Sequence, residues 1–357
     1  MSPLPVDDFL RAGIPPSFQW PVKFCTATTV AAFVLSVITG NVSQVDRVWT
    51  FLPTIYTAYF ALLPLWPHKA PLPLWPHTPE VIHPSITQTY SPRALLMLGL
   101  VVFWMFRLSY NTWRRGLFNL HDEDYRWQIV RNKIPPWLFQ VFNLVFIAFI
   151  QNVILFLLGV PAHIAAFQQP ERLSTSDYIL GTLAFVDVVL EFVADNQQYS
   201  FQTYKHTGAH EKNEWIGARI KWTPRDAQRG FITRGLWAWS RHPNFLCEQT
   251  FWVIITLFPL LAPESPNLSP LSSTSMTPLW SLMPALVLCS LFFSSTRFTE
   301  SISLSKYPEA YSAYRQRVAM FVPLLTPVWG LLLQLRGKKA AVDEILFGQD
   351  KTGKKEE

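Results

Sequence analysis

The sequence predicts an all-α polytopic membrane protein, with about seven transmembrane helices and a proline-broken C-terminal re-entrant or interfacial segment. Two observations predict this class. Only 15% of the 357 residues are charged, where soluble domains run near a quarter. Residues 24–45, 48–68, 134–170, 265–296 and 318–335 contain no Asp, Glu, Lys or Arg. Apolar runs of that length exclude an ordinary soluble protein, a disordered chain and a fibrous repeat. The short segments of alternating polarity that a membrane barrel needs are absent.

The spanning helices are expected near 24–40, 48–66, 93–110, 137–160, 178–194, 245–262 and 279–296. The stretch 318–335 holds Pro323 and Pro327. Each proline removes a backbone donor, so this stretch reads as re-entrant or interfacial and not as a clean span. Residues 107–136 carry six basic residues, 195–244 eight, 295–317 four and 336–357 six, whereas 67–93, 161–177 and 263–278 carry two, one and none. Cytoplasmic loops collect Lys and Arg, so this asymmetry puts the rich loops and the C-terminus in the cytosol and the N-terminus on the other side. The chain divides accordingly into a luminal segment 1–23, an N-terminal transmembrane half 24–177, a C-terminal half 178–335 and a charged cytosolic tail 336–357.

The net charge of +6 follows from the same asymmetry and calls for no nucleic acid. Cys25, Cys247 and Cys289 lie in apolar segments with no CxxC pair, which argues against a disulfide framework or a zinc cluster. MSPLPVDDFL lacks the basic region and apolar core of a signal peptide. The loop 67–93 is proline-rich and reads as an extended luminal segment. Asn267-Leu-Ser269 is a glycosylation sequon close to the membrane, with Pro270 after it. Lys354 and Lys355, followed by two glutamates, resemble the dilysine retrieval signal of endoplasmic reticulum membrane proteins.

Charged residues inside apolar runs carry the functional argument. Asp187, Glu191 and Asp195 are spaced by four, so they share one helix face, which Gln198 extends. A carboxylate in hydrocarbon needs water, a partner or a proton, so this face is expected to line a polar pocket. The sixth span opens with Ser240-Arg241-His242-Pro243-Asn244-Phe245-Leu246-Cys247-Glu248. Pro243 fits a first helical position, and free N–H groups there beside Arg241 and His242 suit an anion. Asn244 and Glu248 lie one turn apart. Upstream, Arg229-Gly230 and Arg234-Gly235 combine close backbone approach with phosphate-binding side chains, without a Walker or GxGxxG pattern. A helix face lying at the interface and an arginine anchored to lipid headgroups are the plainer readings of the same residues.

Together, Glu191, Ala194-Asp195, Gln198, Gly235-Leu236-Trp237, Arg241-His242-Pro243-Asn244 and Glu248 resemble the C-terminal domain of the steroid 5-alpha-reductase-like family. The closer resemblance is to its uncharacterised branch, the domain-of-unknown-function proteins grouped with those reductases. Tyr307-Pro308-Glu309, Tyr311, Tyr314, Arg317 and Phe321-Val322-Pro323 are similar to the family's closing motif. Asp46-Arg47-Val48-Trp49, Pro53, Arg107, Asn111 and Glu123-Asp124-Tyr125-Arg126 look like the N-terminal motifs of that branch, so the resemblance covers most of 40–325. It implies an endoplasmic reticulum enzyme that transfers hydride from NADPH to a conjugated carbon–carbon double bond of a lipid. The cofactor would be held at Asp195, Arg229, Asn244 and Glu248. The Arg-His-Pro-Asn version of the motif is also shared with sterol reductases and with isoprenylcysteine and phospholipid methyltransferases, whose cofactor is S-adenosylmethionine. Steroid specificity is not carried over.

For a reductase, charge develops on a carbonyl oxygen and needs a proton or hydrogen-bond donor. Asp46, Glu191 and Tyr110 are candidates, and Arg107 could polarise the oxygen directly; an Asp46–Arg107 ion pair is the structural reading. Arg229, Arg234, Arg241 and Arg315 are the cations for the NADPH phosphates. A methyltransferase would use acids and aromatics, such as Glu248 and Trp237, around a sulfonium. A non-catalytic lipid-binding protein or a transporter is the alternative outside enzymes, without an inverted repeat to support transport. Only His206 and His210 are spaced four apart, so no metal site is expected.

Overall fold

The computed structural model describes residues 14–212, 214–263 and 282–348. The sequon at Asn267, the dilysine tail and most of the segment 1–23 lie outside the described residues, as does the start of the expected span 279–296. All regular structure among the described residues is helical. The chain forms two compact units, residues 1–184 with 252–287, and residues 185–251 with 288–357. The boundaries between these units fall within helices.

In the first unit, α1 (Gln19–Thr39) follows a 3₁₀ turn at Pro16–Phe18 and stops at Gly40, whose φ is +68°. α2 (Gln44–Val48), α3 (Leu52–Ala61) and α4 (Pro84–Gln88) are short. α5 (Pro92–Arg114) starts with Pro at its first turn and with the Ser91 hydroxyl accepting from the Ala94 N–H. α6 (Tyr125–Arg131) is capped by Asp124. Next come α7 (Pro136–Phe142), a π-helical stretch Asn143–Ile150, α8 (Gln151–Leu157) and α9 (Val160–Gln168). Three helical stretches are long and apolar enough to cross a membrane: Pro16–Thr39, Pro92–Arg114 and Pro136–Gln168.

The expected second span, 48–66, is not a continuous helix. Pro53 starts α3 afresh and Pro64 ends it in a 3₁₀ turn, leaving 10 residues. That is about 15 Å of helix, half the hydrocarbon thickness. Contacts nevertheless sort the loops of this unit into two ends. At one end, Ser17 bonds His163, the Trp20 indole donates to the Leu74 carbonyl, the Ser91 hydroxyl to the Ala165 carbonyl, and Gln168 to Pro259. At the other, Asn41 donates to the Leu120 and Asp122 carbonyls, Val42 N–H to Glu123, and Arg131 to the Gly40 carbonyl. The broken segment 44–65 runs between these two groups, with Asp46 bonded to Trp127 at one and Leu63 to Thr78 at the other.

The first end is locked by a buried ion pair. Arg93 Nε lies 2.7 Å from Asp177 Oδ1 and Nη2 3.1 Å from Oδ2, while Nη1 donates to Gln168 Oε1 at 3.0 Å. Both side chains are fully buried. Ser174 holds the same carboxylate through its N–H and its hydroxyl.

α10 (Thr175–Thr207) supplies residues to both units. Its polarity is inverted relative to a soluble helix: Glu191 and Asp195 are buried, while Phe185, Val186, Val189 and Leu190 are exposed. Apolar side chains outward and acids inward are what a lipid environment selects. In the second unit follow α11 (Pro224–Arg229), α12 (Pro243–Leu260, whose C-terminal part belongs to the first unit), α13 (Met283–Lys306), α14 (Pro308–Arg317), α15 (Leu325–Leu335) and α16 (Lys339–Phe347). Tyr311, Tyr314, Val318, Leu333, Val342 and Leu346 form one core of this unit with Phe231 against it; Phe201, Trp222, Ile232 and Trp237 form a second. The stretch 318–335 behaves as its prolines dictate: 318–324 is irregular, and α15 has 11 residues, about 16 Å and too short to span.

Candidate functional site

The site residues of the second unit gather around two acids, one foreseen and one not. Asn244, in the first turn of α12, donates from Nδ2 to Asp195 Oδ1 at 3.1 Å. Its own Oδ1 accepts the Phe245 N–H at 3.0 Å, which fixes the amide orientation and uses one of the free donors of the helix start. Glu248, one turn on, is buried, as are Glu191 and Asp195 on α10. The face of α10 that carries Glu191 and Asp195 thus touches the start of α12 at this contact. Gln198 lies on the same stretch of α10, and its side-chain oxygen is shielded from solvent with no donor in reach among the described residues.

Ahead of α12, Gly235 takes φ +66°, and the Gln197 amide lies where a Cβ would stand, with Oε1 only 2.5 Å from that point. Gln197 Oε1 accepts the Leu236 N–H at 2.9 Å, and Nε2 donates to the Gly217 carbonyl at 2.9 Å. The Trp237 indole donates to the Ala194 carbonyl at 3.2 Å. The Gly-Leu-Trp motif thus ties the approach to α12 onto the turn of α10 that carries Asp195.

The second acid is Glu300, near the end of α13, and the sequence reading passed over it. Arg241 grips it with two bonds, Nε to Oε1 at 2.7 Å and Nη2 to Oε2 at 3.2 Å. His242 Nε2 is 3.1 Å from Oε1, and Arg315 Nε is 3.6 Å from Oε2. Burial alone would push the Glu300 carboxyl up; the hydrogen bonds from His242 and Arg241 outweigh it and hold the carboxyl at about 2. Burial pushes the His242 imidazole down, against the pull of Glu300, so it is neutral at pH 7. The sequence signal for Glu300 was available: it stands just past an expected span, within a loop whose basic residues alone were counted.

Several expectations are corrected here. At the helix start expected to suit an anion, the Phe245 N–H donates to Asn244 Oδ1 and the Leu246 N–H to the His242 carbonyl, while just ahead of it Arg241 and His242 donate their own N–H groups to the Ala319 and Met320 carbonyls at 2.9 and 3.2 Å. Arg229 is buried and answered within the chain, by Asp226 and by the Leu346 carbonyl at 2.6 Å from Nη1. Its charge serves the Thr223–Asp226 capping box of α11, and Arg234 shares Asp226 at 3.2 Å. Asp46 belongs to the first unit and accepts the Trp127 indole N–H at 2.9 Å in place of the expected Arg107; burial raises its carboxyl. Arg107 is buried in the same unit, and the Tyr110 ring lies tilted beside Trp113 there. His206 and His210 are exposed, with His210 against the Tyr204 ring.

Gly230 shows how tightly this unit is assembled. It sits at φ +88°, with the Tyr307 ring 2.2 Å from where a Cβ would stand. Lys205 bridges the two, to the Gly230 carbonyl at 2.9 Å and to the Tyr307 hydroxyl at 3.2 Å. Gly230→Ala combines left-handed strain with overlap on a ring and is expected to cost roughly 2–4 kcal/mol. A thermal unfolding midpoint equal to wild type would remove this account.

A profile of the family described as protein of unknown function (DUF1295) matches residues 32–318. An uncharacterised protein of Schizosaccharomyces pombe is 35% identical over 292 residues, which cover 82% of this chain and 75% of that relative. No solved structure matches the chain.

Proposed function

We propose, for a chain that belongs to the DUF1295 family, that it is a membrane oxidoreductase transferring hydride from NADPH to a conjugated carbon–carbon double bond of a lipid. The observation that carries this reading is the Asn244–Asp195 contact, with Glu248 one turn along and Glu191 one turn before. It joins the two motifs on which the resemblance to steroid 5-alpha-reductase-like proteins rests. The residues fit a dinucleotide: the Gln198 side-chain oxygen is buried without a donor, and an amide N–H of the cofactor would satisfy it. Asp195, Gln198, Asn244 and Glu248 would hold the cofactor, with Arg234 as the partly exposed cation beside them in sequence. When bound, NADPH supplies the hydride. Glu191, kept from water, would hold a proton for the carbonyl oxygen of the substrate. Arg241 and His242 act by fixing the start of α12 through Glu300.

An apolar substrate entering from the bilayer agrees with three membrane-crossing stretches and with the outward leucines and valines of α10. In this reading, the passages near 48–66, 178–194, 245–262 and 279–296 complete a seven-pass protein of the endoplasmic reticulum with a cytosolic C-terminus. Thermal stabilisation of the detergent-purified chain by NADPH and by S-adenosylmethionine, measured side by side, tests it. The expected result is a shift with NADPH that Asn244→Ala loses. A shift with S-adenosylmethionine alone would replace hydride transfer with methyl transfer, for which buried acids around a sulfonium are equally suited.

A further inference from the structure

The second unit contains a cleft of about 450 Å³ that the proposed reaction does not use. One wall is polar: Arg315, Ser312 and Gln316 follow each other on one face of α14, with Arg241 behind them. The other wall is apolar, formed by Trp329 of α15 with Met320 and Leu304. The charge of this cleft does not balance. Glu300 is one carboxylate between Arg241 and Arg315, and Arg241 takes both of its oxygens. Arg315 comes no nearer to it than 3.6 Å, at Nε, and its side chain is 48% exposed. One positive charge is left over at the mouth of a half-apolar cleft.

The apolar wall continues outward. Trp329 shares α15 with Leu325, Val328, Leu331, Leu332 and Leu335, all of which are exposed while Thr326, Gly330 and Leu333 face the protein. A guanidinium fork beside a tryptophan, continuous with a row of outward leucines, matches one kind of ligand: a phosphodiester joined to acyl chains.

We propose that this cleft binds the headgroup phosphate of an anionic phospholipid, held by Arg315 with Ser312 and Gln316, while the acyl chains run along the exposed face of α15. A nucleotide could use Arg315 and Trp329, but it would leave the leucine row in water. The proposal does not depend on the reductase reading.

Native mass spectrometry of the full chain released from detergent, with phosphatidylglycerol or phosphatidylcholine added, tests it. The expected result is retained phosphatidylglycerol in preference to phosphatidylcholine. Arg315→Gln should weaken retention about tenfold, the loss of one charge-assisted contact. Gln316→Glu, which leaves Arg241 and Arg315 in place but sets a carboxylate on the cleft wall, should weaken it similarly. Equal retention in wild type and both variants would overturn the proposal. So would displacement of the lipid by 2′,5′-ADP, which would assign the cleft to a nucleotide phosphate instead.

Discussion

Replacing Glu300 with alanine is expected to cost the folded protein about 3–5 kcal/mol, the usual penalty for leaving a buried charge without its partner. Arg241 would lose both charge-assisted bonds in a site that is 7% exposed, and its remaining contacts are the Val318 and Arg315 carbonyls. A domain has only about 5–15 kcal/mol in total, so the variant should unfold far below wild type in a detergent melt. The double change Arg241→Met with Glu300→Leu should recover most of the loss, because it removes both charges together. A single variant with an unchanged midpoint would show that the pair is not structural. The pH dependence has a definite sign. Glu300 is held at about 2 in the folded state and titrates near 4.3 when unfolded. Its contribution is therefore complete above about 4.3 and is lost as pH falls from there through about 2. His242 adds a loss at higher pH: burial depresses it, so the unfolded chain takes up its proton first as pH drops below about 6.5. Glu300→Gln should flatten the lower of these two acid limbs.

The second large effect lies in the first unit. Asp177→Ala would strand Arg93, which is wholly enclosed and bonded twice to that carboxylate. The expected cost is again about 3–5 kcal/mol. Arg93→Lys should also be costly, since a lysine cannot present the planar fork that meets both carboxylate oxygens and Gln168 at once. Size-exclusion profiles of the two variants after mild heating would read this directly. Monodisperse protein at the wild-type temperature in both would refute it.

Asp195 and Asn244 were legible because each stands in an apolar run where a polar side chain demands a partner, and the Arg-His-Pro-Asn turn advertises a helix start. Arg241 was legible as important but not in its role. Its partner Glu300 is 59 residues away; the carboxylate stands visibly just past an apolar run, but nothing in the sequence pairs it with this arginine. Arg229 was read for phosphate from its place beside a glycine; what that reading did not see is Asp226 three residues earlier, which pairs with it and caps the helix. The segment 48–66 was misjudged because hydropathy averages over Pro53 and Pro64, which decide where backbone hydrogen bonding stops.

The Arg93–Asp177 pair also has a consequence for biosynthesis. The two partners are separated by 84 residues of chain, and a ribosome adds roughly 5–20 residues per second. Arg93 is therefore made about 4–17 seconds before the carboxylate that neutralises it exists. During that interval the guanidinium in the first turn of α5 has no carboxylate to meet, and its place at the helix end lets the long side chain reach water. The latch can close only once the start of α10 has been made.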